Sequence, residues 1–251
     1  MKKILSILVV SLLLIGCSEN RVLLDELTNK GSEESELMYY ESGLFNGIGY
    51  DVFSDGQLRI ERRYKNGMYD GLHKSWYENG QLSIEDNWKN GKRDGLEKIW
   101  YENGQLKSEC NYKNEYEYGL HKYYEENGQL INEKNWKDGK EDGLHKIWYE
   151  NGQLYSEVKY KDGKEDGLYR TWYENGQLNS ESKYKNGEYD GKVEKWYENG
   201  QLQYEQNWKD GSLDGLYKQW YENGELRSET NYKDGRIINT LSPFFTPNLT
   251  P

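Results

Sequence analysis

Hydrophobic and polar positions alternate along most of this chain, and glycine-rich turns interrupt the alternation at a fixed interval. An aromatic-rich run, LHKSWYE at 72 to 78, meets Asn79-Gly80 and is followed by a second run, QLSIEDNWK at 81 to 89. Asn-Gly between two alternating runs predicts a hairpin with a type I′ turn, because that turn needs φ > 0 at both central residues. A second charged, Gly-rich turn follows, KNGKRDG at 89 to 95. Each unit is therefore predicted to contain two short strands and two turns.

This pattern returns every 24 residues without insertion or deletion, so the chain is an array of repeats. Eight units run from 46 to about 237, and the first of them is diverged. The positions of Gly80, Leu82, Glu85 and Lys89 are constant in all eight units. A unit of this size cannot bury a hydrophobic face alone, so stability must come from stacking each hairpin on its neighbours.

The hairpin register predicts which side chains meet across each pair of strands. With a two-residue loop, Tyr77 faces Leu82 and Lys74 faces Glu85. The same charge pairing is expected at Lys98/Glu109, Lys122/Glu133, Lys146/Glu157, Arg170/Glu181 and Lys218/Glu229, with Glu194 opposite Glu205 as the like-charge exception. Exposed ion pairs contribute little stability, so this row is expected to fix register and pairing order.

Alternation along the strands assigns the aromatic residues to both faces of the sheet. It puts Tyr77, Leu82 and Trp88 on one face, and Leu72 and Trp76 on the other face together with the Lys–Glu row. Both faces are therefore expected to carry aromatic ladders.

The composition favours a long sheet over a globular core. A hydrophobic content of 34% and a mean hydropathy of −1.14 are typical of disordered chains, but 24 Tyr and nine Trp supply apolar surface. Sixteen strands at about 4.8 Å each would form a sheet roughly 75 Å long. We expect an all-β fold in which tandem 24-residue β-hairpin repeats form an elongated, twisted, single-layer antiparallel sheet.

The unit pattern, G-L-x-K-x-W-Y-E-N-G-Q-L-x-x-E-x-x-Y-K-[ND]-G-K-x-D-G, resembles the MORN repeat, specifically its bacterial variant, over about 46 to 237. The resemblance implies a string of β-hairpins used for protein or membrane-lipid contacts, often without catalysis. Some bacterial relatives resemble the antitoxin of a toxin–antitoxin pair. The chain departs from the pattern where Val52-Phe53 and Tyr124-Glu125 replace Trp-Tyr, and where Glu115 takes a Gly position.

The N-terminus predicts export and a lipid anchor. Lys2 and Lys3 precede an apolar run at 4 to 15, which is too short to span a bilayer as a helix and reads as a signal peptide over 1–16. The end of this run, LIGC, resembles the bacterial lipobox, which implies lipidation of Cys17 and a cell-envelope location facing the periplasm or exterior. An ordinary signal peptide with a chance Cys, or an uncleaved anchor, is the alternative.

The segments that flank the repeats are expected to have separate roles. Residues 17–37 are interpreted as the lipidated Cys and a tether, with a short cap helix as the alternative, and 38–45 as an N-terminal capping half-repeat. The repeats occupy 46–237, and a C-terminal tail, 238–251, holds all three Pro residues together with Phe244-Phe245.

Charge and residue chemistry narrow the function classes. A formal charge of −11 disfavours nonspecific binding to nucleic acid or to anionic lipid headgroups. His73, His121 and His145 share one repeat position without a nucleophile partner at a diagnostic spacing, so we expect solvated strand residues. No catalytic residue, metal site or cofactor is predicted.

Two classes of binding function stay open, with a third behind them. The first is a non-catalytic, envelope-anchored scaffold that binds an unidentified protein partner through aromatic stripes, and the second is a module that binds cell-wall glycan. An antitoxin-like role is third, because export argues against neutralising a cytoplasmic toxin. The candidate binding residues are Trp76, Tyr77, Trp100, Tyr101, Trp148, Tyr149, Trp172, Tyr173, Trp196, Tyr197, Trp220 and Tyr221.

Overall fold

The computed structural model describes residues 19–30 and 37–241. A short 3₁₀ helix, Leu24–Glu26, lies near the start of this region. The strands in its N-terminal part are β1 Arg21–Leu23, β2 Thr28–Asn29, β3 Met38–Tyr40, β4 Gly43–Leu44, β5 Gly47–Val52, β6 Leu58–Lys65, β7 Met68–Trp76, β8 Leu82–Lys89, β9 Lys92–Arg93, β10 Gly95–Trp100, β11 Leu106–Lys113, β12 Tyr116–Glu117 and β13 Gly119–Tyr124. The strands that follow are β14 Leu130–Lys137, β15 Lys140–Trp148, β16 Leu154–Lys161, β17 Lys164–Trp172, β18 Leu178–Lys185, β19 Glu188–Trp196, β20 Leu202–Lys209, β21 Ser212–Leu213, β22 Gly215–Trp220, β23 Leu226–Lys233 and β24 Arg236–Leu241.

The predicted fold is confirmed. From β5 to β24 the strands form one antiparallel ladder in chain order, and β1 adds to β5 in parallel. In three units the first strand of the hairpin is split in two, as β9/β10, β12/β13 and β21/β22. Strands contact mainly their neighbours in the ladder, so the repeats form a long single sheet.

The two turns of each unit have different backbone conformations, and the Asn79-Gly80 turn differs from the predicted type. Asn90 and Gly91, with φ of 49° and 78°, form the two-residue turn with positive φ at both positions, between paired Lys89 and Lys92. At Asn79-Gly80 only the glycine has positive φ, 82°, so the type I′ prediction is wrong there.

The Asn79-Gly80 turn is longer than the predicted two-residue turn, and the Asn79 side chain takes part in it. Gly80 N donates to Tyr77 O at 2.9 Å and Tyr77 N donates to Gln81 O at 2.9 Å, which is typical of a turn closed by a glycine bulge. The Asn79 carboxamide oxygen accepts from Gln81 N at 2.9 Å, which does not require positive φ at Asn79.

Because the turn is longer than predicted, the side chains that share a face of the sheet differ from the prediction. Lys74 pairs with Glu85 as expected, but a register shift at the end of β7 sets Trp76, and not Tyr77, opposite Leu82. We define the outer face by Leu72, Lys74 and Trp76 and their equivalents in other units. Leu82 thus shares a face with Trp76, whereas Tyr77 lies in the turn.

The opposite side, the inner face, carries His73, Asp86, Trp88 and their equivalents. Most buried side chains of the repeats lie on it, including Tyr64, His73, Ser108, Cys110, His121, Ser156, Val158, Ser182 and Val193. The histidines were predicted to be solvated, and this is wrong for His73 and His121, because neighbouring rings of the inner face cover them.

The start of the described chain packs on the first hairpin. Val22 of β1 is 4% exposed and forms a small core with Phe45 and Tyr64, against which Leu24 and Leu27 also pack. The tether predicted for 17–37 is therefore wrong for 19–30, because apolar residues bind that stretch to the sheet. Strands β2 to β4 form a separate three-stranded sheet beside it.

The other end of the ladder extends beyond the predicted boundary at 237. Strand β24 pairs with β23 from Lys233↔Arg236 to Glu229↔Leu241, so residues 238–241 continue the sheet and are not part of a tail. The predicted signal peptide, the lipidation site Cys17 and the remaining tail with Phe244-Phe245 lie outside the described residues. Within 19–30 and 37–241, no helix is both long enough and apolar enough to cross a bilayer.

Candidate binding surface

The candidate tyrosines join one repeat to the next. The Tyr77 hydroxyl donates to the backbone carbonyl of Trp100, in the following unit, at 2.7 Å. The same bond recurs from Tyr101 to Tyr124, Tyr149 to Trp172, Tyr173 to Trp196 and Tyr197 to Trp220. Five of the six predicted tyrosines thus have a structural use for the hydroxyl, whereas Tyr221 has no following WYENG turn and is 41% exposed.

The turn asparagine makes a second link between units. The Asn79 side-chain amide donates to Glu102 O of the next turn at 2.8 Å while its oxygen closes its own turn. Equivalent bonds run from Asn103 to Glu126, Asn151 to Glu174 and Asn199 to Glu222. Adjacent turns are therefore held directly against each other along one edge of the sheet.

The candidate tryptophans form a row on the outer face. Trp76 lies opposite Leu82, and the pairing repeats at Trp100/Leu106, Trp148/Leu154, Trp172/Leu178, Trp196/Leu202 and Trp220/Leu226, with Tyr124 opposite Leu130 in the fourth unit. All six tryptophans are half-buried. Each tryptophan thus stands opposite a leucine of its own hairpin, and part of its surface stays open.

A charged row runs beside the tryptophans. Lys74 Nζ lies 3.1 Å from Glu85 Oε2, and Glu85 also pairs with Lys98 of the next hairpin, so charges alternate across strands. At the predicted exception, Glu194 opposite Glu205, a lysine of the same strand supplies the missing cation. Lys192, which stands where other units have Leu or Ile, lies 2.6 Å from Glu194 and 3.0 Å from Glu205.

Clefts open between successive WYENG turns. One of about 690 Å³ is lined by Trp148, Tyr149, Glu150, Asn151 and Glu174, so one unit supplies the ring and the next unit supplies a second carboxylate.

A similar cleft of about 550 Å³ includes Trp76, Tyr77, Glu78 and Asn79 of the second unit and Glu102 of the third unit, and Phe53 and Arg59 of the first unit also line it. The arrangement is a property of the repeat and not of one site.

The family comparison agrees with this repeat geometry. The family model of the MORN repeat variant matches residues 69–90, 93–114, 117–138, 141–162, 165–186, 189–210 and 213–234. The chain belongs to the MORN repeat variant family. The first MORN-like hairpin, β5–β6, lies outside the match but has the same pairing, with Tyr50 opposite Glu61. No curated protein matches the chain.

A row of glutamates along the turn edge of the MORN sheet was not among the predicted site residues. The residue before the turn asparagine is an exposed Glu in seven units: Glu78, Glu102, Glu126, Glu150, Glu174, Glu198 and Glu222. Its recurrence in every WYENG motif was a signal that the sequence offered, but the residue was interpreted only as part of a turn.

The carboxylates act electrostatically on the tyrosines beside them. The pKa of Tyr173 is raised by burial and then by Glu198 and Glu222. Burial, followed by Glu125 and Glu126, likewise raises the pKa of Tyr101. The turn edge is therefore a region of negative potential beside the tryptophan row.

The inner face of the MORN sheet contains a different polar cluster. A cavity of about 300 Å³ is lined in part by Arg62, Tyr69, His73, Asp86 and Trp88. His73 Nδ1 lies 3.8 Å from Asp86 Oδ1, and the His73 and Trp88 rings stack at 5.4 Å. Burial lowers the pKa of His73 to about 4 and raises the pKa of Asp86 to about 6, so at neutral pH the imidazole is neutral and the carboxylate is charged.

Proposed function

We propose that this MORN repeat protein is a non-catalytic, envelope-anchored lipoprotein that binds another protein through the tryptophan row of its outer face. The observation that carries the proposal is the regular row of half-buried Trp rings next to clefts that open between turns. Aromatic rings supply contact energy at low entropic cost, and a repeat offers an extended surface. The lipobox-like LIGC sequence supports the anchor.

Glycan binding is the alternative function, and the geometry of the tryptophan rings favours it less than protein binding. A sugar stacks on an open aromatic face, whereas each tryptophan here is half-buried and stands opposite a leucine of its own hairpin. Tyr221, the most exposed ring of the candidate set, is the position that favours glycan. An antitoxin-like role is a second alternative that nothing in the geometry favours.

The test compares two rows of the same outer face. The Trp148→Leu, Trp172→Leu variant replaces two indole rings with smaller side chains. It keeps an apolar side chain opposite Leu154 and Leu178. The matched control changes the exposed Leu144 and Leu168 of the same two strands to Gln. Baits made from the anchored full-length chain would be offered solubilised envelope proteins and purified cell-wall glycan in parallel.

We expect the tryptophan variant to lose a stoichiometric protein partner that the wild type and the leucine variant retain, with circular dichroism and unfolding midpoints unchanged. Saturable glycan binding that depends on the tryptophans, without a protein partner, would favour the alternative. Retention of the same partner by the folded tryptophan variant would overturn the proposal.

A further inference from the structure

The glutamate row of the turn edge points to the chemistry of the partner. We propose that this edge binds an extended basic segment that carries Lys or Arg at every third residue. The inference rests on the proposed function, because the tryptophan row forms one wall of the clefts in which the cations would lie.

Within the described residues, the side chains of this row take no part in the hydrogen bonds and ion pairs that hold the WYENG turns together. Tyr77 and Asn79 link units, Gly80 has positive φ, and Glu85 pairs with Lys74. By contrast, no ion pair between residues of the described ranges involves any glutamate of the row. Seven exposed carboxylates thus stand along one edge without an ion pair to any described residue, and Arg59, which lines the cleft of Glu78 and Glu102, pairs with Asp51 instead.

Each cleft combines two groups that attract cations. Trp148 contributes an aromatic ring, and Glu150 and Glu174 contribute carboxylates from two successive units. A cation over an indole ring is attracted by the ring quadrupole, and carboxylates nearby add Coulombic attraction. Lys and Arg side chains fit this combination, since their apolar stems can lie along the ring while the charge reaches the carboxylates.

The spacing of the clefts defines the partner's sequence. Consecutive units are two strands apart, which is about 9.6 Å, and the Asn79 to Glu102 bond keeps adjacent turns in contact at that period. Three residues of a polyproline II segment span about 9.3 Å. A basic side chain at every third residue therefore stays in step with the clefts over several units.

The composition of the clefts disfavours a metal ion as the ligand. Calcium takes about six to eight oxygen ligands, whereas no group of three or more His, Cys, Asp or Glu side chains is placed to hold a metal ion within the described residues. Anionic polymers are disfavoured by charge. An extended cationic chain is the occupant that satisfies both the charge and the period.

Two synthetic peptides of about 15 residues test the period. The first repeats Lys-Pro-Ala, and the second has the same composition with its lysines at irregular intervals. Binding to the full chain would be measured by fluorescence anisotropy at two salt concentrations. We expect the periodic peptide to bind on the order of tenfold more tightly, with an affinity that falls as salt rises. Equal affinities would overturn the proposed period.

Two variants with the same change in net charge test the location. The first carries Glu102→Gln, Glu150→Gln, Glu174→Gln and Glu198→Gln. The control carries Asp138→Asn, Asp162→Asn, Asp210→Asn and Asp234→Asn at the opposite edge, where other units already have Asn. We expect the Glu variant to bind the periodic peptide on the order of tenfold more weakly and the Asp variant to bind like the wild type. Equal losses would mean that net charge alone attracts the peptide, and the proposed site would be wrong.

These results separate the inference from the proposed function. If the Trp148→Leu, Trp172→Leu variant loses its protein partner but the two peptides bind the wild type equally, the scaffold function stands and the inference fails. If the periodic peptide binds through the glutamates while the tryptophan variant keeps its partner, the edge is a basic-segment site and the tryptophan row is not the scaffold surface.

Discussion

The fourth repeat lacks a hydrogen bond that its neighbours make, and restoring it tests how the units are joined. Glu125 occupies the position of the linking tyrosine, so no phenol hydroxyl reaches Trp148 O there. The equivalent bonds elsewhere measure 2.7–3.0 Å. Glu125→Tyr is therefore expected to supply the missing link between the fourth and fifth units.

The magnitude follows from one neutral hydrogen bond. Such a bond contributes about 0.5–1.5 kcal/mol net. For a chain of this size, about 1 kcal/mol raises the melting temperature by roughly 2–4 °C. Glu125→Phe is the control, because it adds the ring without the hydroxyl and removes the same charge.

Native-state hydrogen exchange is the assay that locates the effect. Repeat proteins can open locally, so a global midpoint alone would average the change over all units. We expect slower exchange of the β13–β16 amides in the Tyr variant than in the Phe variant. Equal protection in both would show that the ring, and not the hydroxyl, stabilises the junction. Unchanged protection in both would refute the inter-repeat link as a source of stability.

Three further substitutions give separate predictions. Tyr173→Phe should lower the free energy of unfolding by about 0.5–1.5 kcal/mol, as measured in urea, and no loss would contradict a net role for that hydroxyl. Gly143→Ala should cost more than Gly235→Ala in the same measurement. Both glycines have positive φ, 124° and 75°, but at Gly143 a Cβ would lie 2.8 Å from a neighbouring side chain, whereas at Gly235 it would meet nothing within 4 Å. Since the folded-state pKa of His73 is lowered to about 4, His73 contributes stability that is lost as pH falls from about 6.5 to 4. The pKa of Asp86, raised to about 6, has the opposite effect, with stability lost as pH rises from about 4 to 6. Asp86→Asn should therefore steepen the loss of stability on acidification, measured as urea midpoints from pH 4 to 7, and a shallower slope would contradict this assignment.

The sequence was sufficient to predict the parts of the fold that local chemistry determines. The 24-residue period, the paired strands and the Lys74 to Glu85 register all follow from patterns within one unit. The type of the WYENG turn did not follow, because Asn79 binds both its own turn and a carbonyl of the next unit. That second contact exists only after the hairpins have stacked. Because the turn is longer than predicted, Trp76 stands opposite Leu82, where the sequence predicted Tyr77.

Burial was harder to predict than pairing. His73 and His121 look like solvated strand residues in sequence because no aliphatic run surrounds them. In the sheet, aromatic rings from adjacent strands close over them. The docking of residues 19–30 was also missed, since Val22 and Leu24 pack with Phe45 and Tyr64, which lie more than 20 residues away in the sequence.

The inner face differs along the sheet in a way that the outer face does not. One row across successive strands contains Arg62, His73, Asp86, Glu97, Cys110, His121, Lys134 and His145, and then continues as Val158, Tyr169, Ser182 and Val193. The hydrogen bonds between adjacent turns and the charged row of the outer face recur in both the N-terminal and the C-terminal half of the sheet. These contacts therefore define the common scaffold. Because burial lowers the pKa of all three histidines, protonation of these histidines weakens the half that contains them. Two halves built on one scaffold therefore differ in their response to acid, and the difference comes from the positions that the repeat leaves free to vary.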